Sequence, residues 1–151
     1  MEYIYKGKEK GCFICASASQ KPSSKNLVLK KYKRVLIIMN RFPYNTGHLM
    51  IAPLEHKGDI ENLSDEESKE IMKALIESIK VLKRVMKPEG FNVGINLGKI
   101  AGAGLDEHIH IHIVPRWGGD TNFMPVLSET KVIPQHIKET YRLLKEGFEK
   151  R

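Results

Sequence analysis

Short apolar runs separated by polar turns fill the segment from residue 26 to residue 54. The stretch "NLVLKKYKRVLIIMN" (26–40) holds two apolar runs around a basic turn, which predicts two strands. A turn is predicted at "PYNTG" (43–47), because Pro, Asn and Gly favour turn conformations. The following "HLMIAPL" (48–54) predicts the returning strand of a hairpin.

Helical spacing appears twice further along the chain. Ser64 and Glu67 form a capping-box signature, so a long helix is predicted to begin there and to end at "KPEG" (87–90). Its apolar positions are Ile71, Leu75, Ile79, Leu82 and Met86. A second helix is predicted in the tail, opening near Pro134. Its apolar positions are Ile137, Tyr141, Leu144 and Phe148.

The segments between these helices complete the predicted fold. "FNVGINLG" (91–98) predicts a strand, "AGAGLDE" (101–107) a glycine-rich loop, and "HIHIHIVP" (108–115) a strand ended by Pro115. This order predicts an α+β fold, with an antiparallel β-sheet, a long central helix and a C-terminal helix. We expect one domain over residues 1–151, because no repeat, low-complexity tract or linker divides the chain.

Composition narrows the class of protein. With 41% hydrophobic and 28% charged residues, the chain has the composition of an ordinary soluble globular domain. The first fifteen residues lack the apolar stretch of a signal peptide, and no segment approaches the ~20 apolar residues that span a bilayer. A cytoplasmic protein without a membrane partner is therefore expected. The net charge of +7 favours anionic partners.

Cys12 and Cys15 form a single CxxC pair. In a reducing compartment such a pair indicates metal or redox chemistry more often than a disulfide framework. A thioredoxin-like motif would need a βαβ context, and none follows, so metal binding is the better of the two functional interpretations. The alternative is that both cysteines are small buried apolar residues.

Three of the six histidines, His108, His110 and His112, occupy every second position of one predicted strand. Alternate strand residues share a face, so the three imidazoles lie in a row with a spacing of roughly 7 Å. Such a row is compatible with a metal site, since imidazole is a common nitrogen ligand. Nucleophilic catalysis at phosphorus is the second interpretation of the row.

The loop before the histidines favours a phosphate-bearing substrate. Gly98, Gly102 and Gly104 allow the backbone to approach an anion and to point N–H groups at it. The chain contains no Walker-type GxxxxGK[ST] motif and no acidic metal cluster, which argues against a P-loop or kinase-like mechanism.

The segment "HIHIHIV" (108–114) resembles the signature of the histidine-triad superfamily, in which three histidines alternate with hydrophobic residues and two hydrophobic residues follow. The resemblance extends to "MNRFPYNTGHLMIAPLEH" (39–56), with a fourth histidine at His48, and to "GFNVGINLGKIAGAG" (90–104). The tail resembles the branch of diadenosine tetraphosphate phosphorylases and dinucleoside polyphosphate hydrolases. A histidine-triad fold is therefore expected.

This resemblance implies roles for particular residues. His110 is expected to attack the α-phosphorus and to hold the nucleoside monophosphate as a phosphoramidate, with His112 on the phosphate and the bridging oxygen and His48 beside them. The other expected substrate contacts are Asn96, Gly102 and Gly104 for phosphate oxygens, Asn40 for the ribose, and Phe13 and Ile14 for the base.

The resemblance also bears on the cysteines. Several bacterial relatives that keep the CxxC also keep a histidine at the position of His56, and a closed zinc site needs four ligands. Cys12, Cys15, His56 and His108 are therefore predicted to bind a structural zinc ion that ties the N-terminal segment to the catalytic strand. In the competing interpretation, His108 hydrogen-bonds His48 and the cysteines are buried packing residues.

The expected function is cleavage of dinucleoside polyphosphates, such as diadenosine tetraphosphate, by phosphorolysis or hydrolysis through a nucleotidyl-histidine. Relatives in this branch often carry a hydroxyl residue near the position of Gly104, and this chain lacks it. The choice between phosphorolysis and hydrolysis therefore stays open. Two alternatives are an adenosine phosphoramidase-like hydrolase and a nucleotide-binding regulatory module without turnover. A purine nucleotide or dinucleoside polyphosphate and a second copy of the chain are the expected partners, and nucleic acid is not expected. The resemblance implies a two-fold homodimer.

Overall fold

The computed structural model describes residues 11–102, 108–120 and 137–150. Within these ranges the chain forms three α-helices and five strands. In chain order they are α1 (Phe13–Ala18), β1 (Val28–Lys31), β2 (Val35–Met39), β3 (Leu49–Pro53), α2 (Asp65–Met86), β4 (Gly90–Ile95), β5 (Ile111–Arg116) and α3 (Ile137–Glu149). Two 3₁₀ turns lie at Ile60–Asn62 and Lys99–Ala101.

The strands form one antiparallel sheet in the order β1-β2-β3-β5-β4. In its centre, His112 of β5 lies between Met50 of β3 and Gly94 of β4. The predicted α+β class with an antiparallel sheet, a long central helix and a C-terminal helix is therefore confirmed. None of the described helices is long and apolar enough to cross a membrane.

One face of the sheet carries the core. All five residues of β2 and of β3 are buried, and α2 packs across these two strands with Ala74, Val81 and Leu82 buried. On β5, Ile111 and Ile113 are buried in the same core, and by strand alternation His112 points to the opposite face. Burial of the apolar face therefore fixes the direction of the histidines.

The N-terminus of α2 has the predicted cap. The Ser64 side chain accepts a hydrogen bond from the Glu67 backbone N–H at 3.1 Å, and the Glu67 carboxylate accepts one from the Ser64 backbone N–H at 2.8 Å. Lys57 also donates to Glu67, at 2.8 Å. The capping box thus connects the start of α2 to the loop after β3, from which His56 projects.

The structure differs from the sequence prediction at two elements. The helix α1 was not expected, because its six residues are too few to show a helical period. The strand β5 begins at Ile111, so His108 and His110 lie just before it, and it continues through Pro115 to Arg116. Proline is tolerated there because β5 pairs with β3 only as far as Ile113. The predicted opening near Pro134 lies outside the described residues.

Candidate functional site

The site lies on the face of the sheet opposite α2. His112 lies within β5, and His110 and His108 precede it at two-residue intervals. His48 comes directly before β3 and lies beside His112, with ring centroids 5.0 Å apart. The rings of His110 and His112 are 4.8 Å apart. The predicted row of imidazoles and its fourth member thus lie side by side in the structure.

Hydrogen bonds assign the protonated nitrogen of His48 and of His112. The Tyr44 backbone N–H donates to His48 Nδ1 at 3.1 Å, so in neutral His48 the proton lies on Nε2. That Nε2 is 2.8 Å from His112 Nδ1, which must therefore accept. In neutral His112 the proton consequently lies on Nε2. The Tyr44 backbone N–H group, in the 43–47 turn, thus determines which nitrogen carries the proton in both imidazoles.

His110 has the opposite arrangement. Its Nδ1 lies 2.9 Å from the His108 carbonyl oxygen, which can only accept, so His110 Nδ1 carries the proton. In the neutral ring Nε2 therefore keeps its lone pair. Neutral His110 hence presents an unprotonated nitrogen, which attack at phosphorus requires. The neighbouring His112 presents an N–H donor, which stabilisation of a phosphate oxygen requires.

Burial keeps the supporting imidazoles neutral. Burial, followed by the neighbouring His112 and His110, lowers the pKa of His48 to about 3. Burial, followed by His110, lowers the pKa of His112 to about 4. Both side chains are therefore uncharged at neutral pH, and the hydrogen-bond assignments above apply there.

The other predicted substrate contacts lie at different distances from this row. The Asn40 amide nitrogen is 3.5 Å from His48 Nε2, at the end of β2. Asn96 follows β4 and is half-buried, and by alternation it shares the histidine face with Gly94. Phe13 is half-buried and Ile14 is fully buried within the core, both on α1. The structure thus brings Asn40 to the row, whereas Ile14 has no exposed surface.

The glycine-rich loop is described only up to Gly102. Gly98 and Gly102 have φ values of +82° and +87° and flank the 3₁₀ turn Lys99–Ala101. Both values lie in the left-handed region, which glycine adopts without a steric cost. Gly104 lies outside the described residues.

A second cluster lies at the other end of the row. Cys12, Cys15, His56 and His108 each place one potential ligand atom within 4.8 Å of the others. His108 Nδ1 is 3.2 Å from Cys12 Sγ and 3.4 Å from Cys15 Sγ, and His56 Nδ1 is 3.2 Å from Cys15 Sγ. Zn–S bonds of about 2.3 Å and Zn–N bonds of about 2.0 Å in a tetrahedron separate sulfur from nitrogen by about 3.5 Å. The four side chains therefore fit a tetrahedral metal ion.

The orientation of His108 agrees with that fit. Its Nε2 lies 2.8 Å from the Pro53 carbonyl oxygen, so Nε2 carries the proton and Nδ1 points its lone pair at the cysteines. Burial lowers the pKa of His108 to about 4, although the hydrogen bond to Pro53 raises it. His108 thus bonds Pro53 and the cysteines, and the alternative bond to His48 is not seen, since His48 bonds His112.

Sequence reasoning missed Tyr44 and the cavity that Tyr44 lines. The Tyr44 ring lies 4.9 Å from that of His48 and 6.1 Å from that of His112. Arg116 and Asp120 line the cavity from the C-terminal end of β5. Extending the alternation of 108, 110 and 112 to position 116 would have placed Arg116 on this face, but the position of Tyr44 depends on how the 43–47 turn folds back.

Comparisons with known proteins agree on one family. A model of the HIT domain matches residues 21–119. AP-4-A phosphorylase of Mycobacterium tuberculosis is 47% identical over 125 residues, a match that covers 83% of this chain and 64% of the phosphorylase. The chain thus matches less than two thirds of that protein's length. Adenosine 5'-monophosphoramidase of Schizosaccharomyces pombe is 33% identical over 81 residues, covering 54% of this chain and 57% of that protein.

A solved structure shares the fold. The Zn-bound histidine triad family protein from Mycobacterium smegmatis superimposes with a TM-score of 0.73, covering 95% of this chain and 96% of that one, at 24% identity. The antiparallel sheet and the placement of its helices are therefore those of a known fold.

Proposed function

The chain belongs to the HIT domain family, and on that premise we propose that it is an enzyme that cleaves dinucleoside polyphosphates through a nucleotidyl-histidine intermediate. The observation that carries this proposal is the arrangement at His110. Its Nδ1 is bonded to the His108 carbonyl oxygen, so Nε2 keeps a lone pair beside the N–H group of His112. The 47% identity to an AP-4-A phosphorylase supports the substrate class.

In the first step, His110 Nε2 attacks the α-phosphorus of the substrate. A P–N bond forms, and the bond from that phosphorus to the bridging oxygen breaks, so that diadenosine tetraphosphate releases ATP. The His112 Nε2–H group donates a hydrogen bond to a phosphate oxygen or to the leaving oxygen. His48 keeps that proton on His112 Nε2 through its own bond to Nδ1.

In the second step, water or inorganic phosphate attacks the phosphorus and the P–N bond breaks, which returns His110 to its starting form. Water yields AMP and phosphate yields ADP. Phosphate oxygens would be held by Asn96 and by the backbone at Gly102 and Gly104, the ribose by Asn40, and the base beside Phe13, with Ile14 behind it in the core. The net charge of +7 favours such an anionic substrate.

Product analysis tests the proposal. The purified protein is incubated with diadenosine tetraphosphate, with and without inorganic phosphate, and the products are separated. Phosphate-dependent formation of ADP and ATP identifies a phosphorylase, and formation of AMP and ATP identifies a hydrolase. Nucleotide binding without turnover contradicts the enzyme and favours the regulatory module.

A phosphoramidase is the second candidate, favoured by the 33% identity to adenosine 5'-monophosphoramidase. The same nucleophile would then expel an amine in place of a nucleotide. Rapid hydrolysis of adenosine 5'-phosphoramidate, with diadenosine tetraphosphate left intact under the same conditions, would select this candidate.

We also propose that Cys12, Cys15, His56 and His108 bind a structural zinc ion. The support is the donor set, two thiols and two imidazoles with sulfur and nitrogen atoms 3.2 to 3.4 Å apart. Four protein ligands leave no position for water, so zinc here would stabilise the fold rather than activate a nucleophile.

Metal analysis of protein purified without chelator should give about one zinc per chain, and the Cys12→Ser, Cys15→Ser double variant should lose it. Metal-free wild-type protein with full activity would contradict this assignment.

Finally, we propose an isologous homodimer through β4. This strand forms an edge of the sheet, and its Val93 lies on the face of buried Ile113 yet is 45% exposed. The exposed apolar surface continues through Ile95, Leu97 and Ile100.

Val93→Arg should give monomers in sedimentation analysis, whereas Met72→Arg, on exposed α2 surface, should not. A monomeric wild-type protein at micromolar concentration would refute the dimer.

Two further expectations stay predictions of the sequence. The single sheet supports a single domain over residues 1–151, and Cys12 and Cys15, which are not joined in a disulfide, suit a reducing compartment such as the cytoplasm.

A further inference from the structure

A cavity of about 300 Å³ lies at the end of the histidine row, lined by Tyr44, Asn45, Asn92, Val114, Arg116 and Asp120. Strand alternation places Val114 and Arg116 on the same face of β5 as His112, and Asn92 of β4 pairs with Val114. Val114 is about 7 Å along the strand from His112. The cavity is therefore a continuation of the site and begins where the imidazoles end.

The polar groups of this cavity suit an uncharged ligand. Arg116 Nε and Nη2 donate to the Asp120 carboxylate at 2.7 and 3.0 Å, and Nη1 donates to the Asn92 amide oxygen at 2.7 Å. Asp120 also accepts a hydrogen bond from the Asn45 amide at 2.9 Å. A phosphate would thus meet a carboxylate together with a guanidinium whose charge that carboxylate already balances. A ribose or a base could instead use these groups as donors and acceptors.

Tyr44 supplies an aromatic surface at the entrance to the cavity. Its side chain is 74% exposed although its ring lies against His48 and His112. Nucleobases stack on exposed aromatic rings whatever their identity. The turn that carries Tyr44 is fixed to the site by two hydrogen bonds, from the Tyr44 N–H to His48 and from the Asn45 amide to the Pro115 carbonyl oxygen.

We infer that this cavity is a subsite for the distal nucleoside of the substrate, the one that leaves with the polyphosphate. The inference rests on the proposed cleavage of dinucleoside polyphosphates. One nucleoside phosphate would be bound at His110 while the second base stacks on Tyr44, with its ribose between Asn92 and Asp120. Occupation of both positions favours a substrate with two nucleosides over one with a single nucleoside.

A binding experiment isolates the second nucleoside without turnover. In a His110→Ala background, the dissociation constants of diadenosine tetraphosphate and adenosine 5'-tetraphosphate are measured by calorimetry. The two ligands share one nucleoside and four phosphates, and only the first has a second nucleoside. Diadenosine tetraphosphate should bind about tenfold more tightly, the range expected for one stacked base. Equal affinities would overturn the subsite and leave the cleavage proposal standing.

Variants then test which residues cause the preference for diadenosine tetraphosphate. Tyr44→Ala should remove most of that tenfold preference, and Tyr44→Phe should retain it because the ring remains. Asn92→Trp should also remove it by filling the cavity. Phe42→Ala is the matched control, since Phe42 is equally 74% exposed but does not line the cavity. Loss of the preference in Phe42→Ala, or its retention in Tyr44→Ala, would overturn the assignment.

Kinetics give an independent readout in the active protein. The ratio of kcat/KM for diadenosine tetraphosphate to kcat/KM for adenosine 5'-phosphoramidate should fall about tenfold in Tyr44→Ala and stay unchanged in Phe42→Ala. A parallel fall for both substrates would assign Tyr44 to support of the imidazoles and refute the subsite. If the wild-type protein cleaves neither substrate, the proposed function is refuted. The binding comparison would still decide whether the subsite exists.

Discussion

At the scale of single residues, backbone groups set the chemistry of the histidine row. A carbonyl oxygen at His108 holds the proton on His110 Nδ1, and an N–H group at Tyr44 holds the proton on His48 Nε2 and, through it, on His112 Nε2. Main-chain partners have fixed polarity, so they define tautomers more strictly than side chains that can rotate or titrate.

Replacement of His110 tests its proposed role as nucleophile. His110→Ala should lower turnover of diadenosine tetraphosphate by at least about 10³-fold, because it removes the nitrogen that is proposed to form the P–N bond. Nucleotide binding, measured by calorimetry, should stay within a few fold of wild type, since the remaining contacts survive. Turnover within a few fold of wild type would exclude His110 as the nucleophile.

Stability should depend on pH through His48, His108 and His112. Their pKa values fall from 6.5 to about 3 for His48 and to about 4 for His108 and His112 in the folded protein. Below pH 6.5 the unfolded chain therefore binds protons that the folded chain does not, so stability is complete above about pH 6.5 and is lost as the pH falls towards 4. Each histidine contributes a slope of about 1.4 kcal/mol per pH unit.

Urea unfolding between about pH 6.5 and 5, where most carboxylates stay ionised, measures this slope. His48→Asn should show a shallower pH dependence, because one of the three lowered imidazole pKa values is removed. An unfolding free energy that is independent of pH over this interval would contradict the neutral, buried state of these imidazoles.

At the scale of elements, α3 fixes the position of α2 over the sheet. Tyr141 and Lys145 of α3 each donate a hydrogen bond of 2.8 Å to a backbone carbonyl of β1. Gly147 lies against α2 so closely that a Cβ atom there would come within 2.7 Å of Val85 and 2.9 Å of Val81. The two helices thus pack through a position with no side chain.

Gly147→Ala should therefore destabilise the protein even though alanine favours helix. The two valines are stiff at χ1 and cannot easily move, so overpacking costs about 1 to 3 kcal/mol, against a gain in helix propensity of about 1 kcal/mol. Thermal unfolding should show a lower Tm for Gly147→Ala and little change for the control Glu139→Ala, an exposed position on α3. An increase in Tm would show that the helices separate easily.

At the scale of the whole molecule, the Cys/His cluster joins distant parts of the chain. Cys12 and His108 are 96 positions apart in sequence, yet their side chains are 3.2 Å apart. The cluster links α1, the loop after β3 and the start of the histidine row, whose next imidazole bonds the His108 carbonyl oxygen. Metal binding at this point would couple the N-terminal segment to the proposed nucleophile.

Metal removal should consequently lower the stability of the entire fold. Dialysis against a zinc chelator is expected to lower the Tm of the wild-type protein, and added zinc should restore it in proportion to the logarithm of the free zinc concentration. The Cys12→Ser, Cys15→Ser variant serves as control, and its Tm should not respond to either treatment. A wild-type Tm that is equally insensitive would mean that the cluster is a packing feature.

Much of this protein follows from local sequence. The apolar runs of β2 and β3, the apolar period of α2 and the Ser64 cap predicted these elements within a few residues, because all three signals are properties of contiguous residues. The same holds in part for the histidine row, since a period of two puts alternate side chains on one face, although only His112 lies within β5. The CxxC pair and the glycine-rich loop indicated metal and phosphate chemistry through residue type.

Tertiary structure decided how these pieces meet. The sequence allowed His108 to bond either His48 or the cysteines, and the packing of α1 against the end of the row selected the cysteines. The protonated nitrogen of each imidazole, the helix α1 and the cavity beside Tyr44 likewise depend on which backbone groups come together from distant positions. Such contacts arise when burial of the apolar face closes the sheet, and no local pattern in the sequence encodes them.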